Sequence, residues 1–411
     1  MAISIDVLNR MLEHRPVWPK RAVVTSGLPY GNKSLHCGHI TIFIHSDFFA
    51  RFLRDRIGAD NVIYQSGTDC YGSPALEGYR KLQEKGEFNG SMIDYVSKYH
   101  NIQKKILDDY NISLNIYAAS AFGEEKEIHE KVSANIFNTL LNNGYLTPLK
   151  TLQFYDEEKQ TFLNGRQVIG KCPIEGCQGE HAYADECDLG HQFMPKELIN
   201  PISTLSGKTP VLKESTNWYF NLQDFIPILS EWLDYLEKNT TTRSYIIKET
   251  REFLKKPEVY IKKEYLEDFK KLESSLKPHE LIVDNKPSFT VIFNKLSDRE
   301  HACEILNNNQ IRFRTGKTLT PFRLTNNLSW GVPVPDTKQM QGLTFYVWPE
   351  SLWAQISITQ AYLKRLNKQD EWKDWWASNE AKVYQFIGED NIYFYGPAQM
   401  GLWLATQGEN P

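Results

Sequence analysis

Residues 21–57 carry the pattern that most limits how this chain can fold. RAVVTSG (21–27) is a short apolar run that predicts a buried strand, and LPYGNKS (28–34) is a turn-rich connection. From Leu35 to about Ile57, apolar residues recur every three or four positions: Ile40, Phe43, Ile44, Phe48 and Phe52. That spacing predicts a helix. NVIYQS (61–66), stopped by Gly67, predicts a second strand. Strand, tight turn, helix, strand is the opening of a doubly wound α/β domain, because parallel strands need a crossover between them. Helices are predicted near 73–85, 91–110 and 124–142, with a strand near 114–118.

The rhythm then breaks. Residues 143–245 are turn-rich at first, hold a cysteine cluster and pass through NWYFNL, so they read as an insertion. Residues 246–325 form another unit. There VYIKKEY, ELIV, SFTVIF and IRFR alternate like strands and REHACEILNNN is helical, which describes a small α+β insert. Parallel-sheet character returns at LTFYVW (343–348) and KVYQFI (382–387), with helices over 350–366 and near 391–406. The expected organisation is an N-terminal extension (1–20), two halves of one α/β domain (21–142 and 326–411), and the two inserts between them.

Composition narrows the function. The net charge is −4 and no Lys/Arg-rich block dominates, which argues against strong autonomous nucleic-acid binding. No apolar run approaches the ~20 residues needed to span a bilayer. The first residues lack an apolar signal core, so a cytoplasmic protein without a membrane partner is expected. Of six cysteines, Cys37, Cys70 and Cys303 are scattered, whereas Cys172, Cys177 and Cys187 cluster. In a chain of this kind the cluster suits a metal better than a disulfide.

The turn at Gly31-Asn32 leads to His36, Gly38 and His39 at the entry to the long helix. A helix N-terminus offers free N–H groups and a positive dipole end, which suits phosphate. Gly38 permits close approach of a planar ring. Two imidazoles three residues apart share a helical face and can donate to phosphate oxygens. A bare histidine pair would only cap the helix; the turn, the glycine and the strand–turn–helix context favour a nucleotide site. Asp69, at the C-terminal end of the second strand, stands where parallel sheets bind ligands, and a carboxylate there suits an ammonium group.

PYGNKSLHCGH after a strand resembles the first signature of class I aminoacyl-tRNA synthetases, with Cys37 where the family has Ile or Leu. SGLPY, SGTDCYGSP, YDEEKQTFL, NPISTLSGKTPVLKE, NWYFNL, WGVPVP, FYVW and QFIGEDNIYFY resemble methionyl-tRNA synthetase segments in the family's order. The resemblance covers about 21–245 and 326–411 and leaves out the insert near 255–322. It implies a Rossmann-like doubly wound parallel sheet, interrupted by a zinc-knuckle connective insertion and the α+β insert. It also implies ATP with Mg2+, an amino acid and tRNA as partners. Tyr30, Gly31, Asn32, His36, Gly38 and His39 would bind ATP, with the two histidines catalytic. Asp69 would hold the substrate ammonium, and Leu28, Tyr30 and Trp348 would surround the side chain.

Several positions depart from the family pattern. Where the family has Trp-Leu-Asp-Ala-Pro-Ile-Gly-Tyr, this chain has Trp348-Pro349-Glu350-Ser351-Leu352-Trp353-Ala354-Gln355. A pocket tyrosine thus becomes Gln355; a later isoleucine becomes Asn391 and a histidine Tyr395. Polar groups there suggest a more polar amino acid, or methionine held differently. The family's Arg-Asp before WGxPxP is Asn326-Asn327, and Arg323 is a nearby cation that could replace the lost arginine. Cys172, Cys177, Cys187 and His191 approximate a zinc knuckle of structural type, with His181 as the alternative fourth ligand.

The family's second signature, Lys-Met-Ser-Lys-Ser, and its helical anticodon-binding domain have no counterpart before Pro411. The chain therefore reads as a fragment or a truncated reading frame. As such it should bind substrates better than it turns them over, and charge tRNA poorly or not at all. The leading expectation is methionyl-type activation of an amino acid to its adenylate, with transfer to tRNA for protein synthesis. The alternatives are a paralogue that activates a more polar amino acid without tRNA, and a catalytically decayed binding module.

Overall fold

A computed structural model describes residues 17–408, except 164, 174–176, 185, 186, 188–194 and 241, and only the backbone of Lys196 and Asp390. The chain forms two compact units. The first takes the chain up to Phe137, then Lys150–Ser215 and Thr325–Gly388; the second takes Asn138–Leu149, Thr216–Leu324 and the chain from Glu389 on.

The first unit is built on a parallel sheet. Its strands run in the order Ala381–Phe386, Arg21–Ser26, Val62–Thr68, Ile116–Ala119. Val23 stands opposite Ile63 on one side and Val383 on the other. Both faces are covered, as a near-continuous apolar strand requires. Ala22 and Val24 pack with Ala50, Leu53, Val62 and Tyr64 on one face. Val23 and Ile63 pack with Leu363 and Trp375 on the other. The covering helices are Cys37–Ile57 and Val347–Arg365. Each fully buried Val, Leu or Ile adds roughly 1.5–3 kcal/mol.

The buried face of the first helix differs from its apolar stripe, and one strand expectation is corrected. The inward face of the helix Cys37–Ile57 carries Phe43, Ser46, Asp47, Ala50 and Leu53, whereas Ile44 and Phe48 are 46% and 75% exposed. Polar residues turn inward because they have partners. The Ser46 hydroxyl lies 2.6 Å from that of Ser26 and 2.8 Å from that of Tyr64, and Asp47 Oδ1 accepts from Ser113 N at 2.7 Å. Apolar periodicity alone could not register those hydrogen bonds. LTFYVW, in turn, is not a parallel strand. Only Thr344–Phe345 is extended, antiparallel to Thr325–Asn326, and a helix starts at Val347. A six-residue apolar run fits a strand or the start of a buried helix equally well.

The second unit contains strand Glu258–Lys262, helix Leu266–Leu272, strands His279–Ile282 and Ser288–Phe293, helix Leu296–Asn308 and strand Phe313–Thr315. The four strands form an antiparallel sheet in the order 279–282, 288–293, 258–262, 313–315. This β-α-β-β-α-β succession is the split βαβ arrangement. Val259, Ile261, Phe289, Val291 and Phe293 alternate inward against Phe269, Ala302 and Leu306. The short helix Leu266–Leu272 is absent from the sequence expectation, which read its approach, VYIKKEY, as a longer strand.

Candidate functional site

The turn after the first strand is drawn to the end of the second. Gly31 N donates to Asp69 O at 2.7 Å, Asp69 N donates to Pro29 O at 2.9 Å, and Tyr30 and Asp69 form a parallel bridge. A Cβ on Gly31 would stand 3.0 Å from Thr68 Cγ2, so glycine allows the approach. Beneath the turn lies Gln103, fully buried on the helix Met92–Asp109. Its Nε2 donates to the carbonyls of Tyr30 (2.8 Å) and Lys33 (2.9 Å). Its Oε1 accepts from Thr68 Oγ1 and the Tyr117 hydroxyl, both at 2.8 Å. Asn32 is a structural member of the same turn, its Nδ2 donating to Pro74 O at 3.1 Å.

His36 caps the helix Cys37–Ile57, and His39 answers from its third position. The rings stack with centroids 3.8 Å apart, and His36 N donates to His39 Nδ1 at 3.3 Å. That bond fixes the remaining proton of neutral His39 on Nε2. Burial, and then His36 and Lys33, hold the His39 pKa down to about 4, so the ring is a neutral donor at neutral pH. A Cβ on Gly38 would lie 3.1 Å from His36 Cε1. The capping role and a phosphate role are compatible, since capping uses Nδ1 and does not engage Nε2–H.

Asp69 is 5% exposed, and its Oδ1 accepts from Tyr71 N at 3.2 Å. Burial, and then the charge of Glu350, push its pKa well up. Burial also raises the Tyr30 and Tyr71 hydroxyls, with Glu350 adding to both. Glu350 sits in the first turn of the helix Val347–Arg365 and is 2% exposed. Its Oε1 pairs with Nε2 of His129, which is equally buried, and His129 Nδ1 lies 2.9 Å from Ser357 Oγ. Trp348 shares that first helical turn. Trp330, from WGVPVP, donates to Cys70 O at 2.8 Å and rests on Tyr71. Gln103, His129 and Glu350 have no part in the sequence expectation. The only signal was Glu350, the one acidic residue in the helix Val347–Arg365.

Leu28 lines a small, mainly apolar cavity with Ala118, Ala119, Ala354 and Ile358, and His129 and Ser357 reach its wall. Gln355 does not line that cavity. It lies in the core with every polar group used: Nε2 donates to Ser26 O at 3.1 Å, and Gln65 Nε2 donates to Gln355 Oε1 at 3.1 Å. The expectation that it brings an unsatisfied polar group to the substrate is therefore corrected. Asn326 likewise serves the fold. Its Nδ2 donates to Phe345 O, and its Oδ1 accepts from Leu328 N and Thr344 Oγ1. Asn391, Tyr395 and Arg323 belong to the second unit.

Cys172, Cys177 and Cys187 bring their sulfurs within 4.8 Å of one another. Cys177 and Cys187 sulfurs are 3.9 Å apart, and Gly179 N donates to Cys177 Sγ. With Zn–S bonds near 2.3 Å, a tetrahedral edge is about 3.8 Å, which the Cys177–Cys187 pair matches, and Cys172 converges on the same point. His191 lies outside the described residues, and His181 is not in the converging group.

Known proteins resemble this one in sequence and in fold. The family model "tRNA synthetases class I (M)" matches residues 22–265 and 290–405, and so runs through most of the insert that the sequence reading left out. A methionine--tRNA ligase of Cytophaga hutchinsonii is 29% identical over 92% of this chain and 44% of its own length. One of Thermococcus onnurineus is 30% identical over 91% of this chain and 41% of its own length. The chain thus spans less than half of these relatives. The crystal structure of Mycobacterium tuberculosis methionyl-tRNA synthetase bound by methionyl-adenylate covers 95% of this chain and 56% of its own, with TM-score 0.51 at 15% identity, a likeness of fold. Among the described residues, no helix is long and apolar enough to cross a membrane. With the family model matching most of its length, this chain belongs to the class I tRNA synthetases of the methionyl type.

Proposed function

We propose that this chain is the amino-acid-activating part of a methionyl-type tRNA ligase. We read 21–142 and 326–411 as the two halves of its catalytic domain. The observation that carries the reading is the bridge between Tyr30 and Asp69, which joins the nucleotide turn to the buried carboxylate. ATP, with Mg2+, lies along the Tyr30–Asn32 turn and Gly38, its phosphates at the helix entry. Asp69 takes the substrate ammonium, and Leu28, Tyr30 and Trp348 flank the side chain. The substrate carboxylate oxygen attacks the α-phosphorus, the bond to the bridging oxygen breaks, and pyrophosphate leaves. His39 Nε2–H donates to the charge that develops on the phosphate oxygens, with His36 beside it. In the second step a tRNA terminal hydroxyl attacks the adenylate carbonyl and AMP departs. Zinc would be held by Cys172, Cys177 and Cys187, with His191 the fourth ligand expected from the sequence, and would supply a closed structural centre.

Methionine is favoured over a more polar substrate because Gln355 already spends its hydrogen bonds inside the protein. The test is calorimetric binding of ATP, each of the twenty amino acids, and a non-hydrolysable methionyl-adenylate analogue. Methionine should bind best, and the analogue more tightly than either substrate. His36→Ala/His39→Ala should weaken the analogue and ATP but spare methionine. Absence of binding by all three ligands, or tighter binding of a polar amino acid than of methionine, overturns the reading. ATP–pyrophosphate exchange and tRNA charging then measure turnover.

A further inference from the structure

We propose that Glu350, held by His129, is a second carboxylate facing the substrate ammonium, so that the amino group is gripped between Asp69 and Glu350. This rests on the reading of Asp69 given above. Glu350 and His129 are each 2% exposed, so neither is a surface ion pair. Glu350 Oε1 is taken by His129 Nε2, but Glu350 Oε2 is buried with no hydrogen-bond partner among the described residues. A desolvated carboxylate oxygen left bare is costly, and such groups usually face a ligand or an ion. The groups that feel the Glu350 charge are Asp69, Tyr30 and Tyr71, the same residues that surround the proposed amino-group site.

The hydrogen bonds around the pair point the same way. His129 Nε2 holds Glu350 Oε1, and His129 Nδ1 lies 2.9 Å from Ser357 Oγ, so the pair is fixed on both sides and Glu350 Oε2 is the atom left open. Glu350 also lies in the first turn of its helix, where the positive dipole end favours a carboxylate. The orphaned Glu350 oxygen and the buried Asp69 carboxyl therefore suit the same ligand, a small primary ammonium with up to three N–H bonds to give. His129 acts through Glu350 and is a positioning residue.

The test compares methionine with its 2-hydroxy analogue, which lacks the ammonium, by calorimetry on the whole chain. Glu350→Gln keeps size and one acceptor but removes the charge. It should weaken methionine by about tenfold or more, which is about 1.4 kcal/mol, while the hydroxy acid and ATP change by less than about twofold. His129→Gln, which retains a donor for Glu350, should give a smaller loss in the same direction. Asp69→Asn serves as the reference for losing one charge. If wild type binds methionine but Glu350→Gln binds it equally well, this inference falls and the Asp69 reading stands. If Glu350→Gln weakens ATP, the hydroxy acid and methionine alike, the pair is a structural ion pair only. If wild type discriminates neither ligand, both readings fall.

Discussion

Replacing Gln103 with Leu tests whether the nucleotide turn is held from below. Leu is close to Gln in volume, so little cavity results and the polar loss is isolated. Four hydrogen bonds disappear, two to main-chain carbonyls and two from hydroxyls. The hydroxyls keep other partners, because Tyr117 OH lies 3.2 Å from Thr68 Oγ1, and that oxygen is 3.0 Å from His100 Nδ1. The carbonyls of Tyr30 and Lys33 lose their donor. Each stranded acceptor costs roughly 1–3 kcal/mol when buried, and Lys33 lies where water can reach it. The expected destabilisation is therefore about 2–4 kcal/mol, read from the urea transition of the first unit. Amide exchange should accelerate across 29–34, and ATP affinity should fall because the turn no longer holds one shape. A loss below about 0.5 kcal/mol would refute the energetic argument. A full loss of stability with unchanged ATP affinity would refute the positioning role.

Other outcomes follow from single sites. The His100 pKa is held down to about 4 by burial against an ordinary value of 6.5. The unfolded chain therefore takes up that proton first, so stability is constant above about pH 6.5 and falls by up to about 3 kcal/mol as pH drops toward 4. His100→Gln should remove that part of the acid slope in a pH series of denaturant titrations. The purified chain should hold about one equivalent of zinc, and chelation should lower the melting temperature and expose the three thiols. A content under about a tenth of an equivalent would reject the site. Gly67→Ala places a Cβ 2.7 Å from Ala118 O and 3.2 Å from Ile358 Cδ1, where backbone cannot yield. It should cost about 1–3 kcal/mol in thermal denaturation; a neutral result would mean that the two strands separate more easily than their packing indicates.

The parts of the molecule that sequence discloses are those governed by short-range pattern. Strands at Arg21–Ser26 and Val62–Thr68 and helices at Ser73–Glu84 and Met92–Asp109 lie within a residue or two of expectation. Their apolar spacing and glycine stops are local. The site residues in the first unit divide differently. Tyr30, Gly31 and Asp69 announce themselves by motif, and the bridge between them is local to the sheet. Gln103, His129 and Glu350 act through partners far along the chain, and nothing within ten residues of any of them signals the pairing. Gln355 shows the reverse error. A glutamine in an apolar segment looks like a polar intruder in a pocket until Ser26 and Gln65 are seen beside it. The sense of the LTFYVW run depended on which neighbours it met, and its composition carries no trace of them.

The strand order has a consequence for the making of the protein. The strand Arg21–Ser26 has one neighbour close by in sequence, Val62–Thr68, and another, Ala381–Phe386, that emerges only after both inserts have been synthesised. Until then one flank of the nucleotide strand is an open edge with unpaired N–H and C=O groups, rich in valine. Nascent chains of this protein must shield that edge until Ala381–Phe386 emerges, a period in which the turn above it has no finished floor. A trigger for misassembly thus lies in the same short strand that leads into the proposed ATP site, and slowing elongation across the inserts should lengthen the exposure.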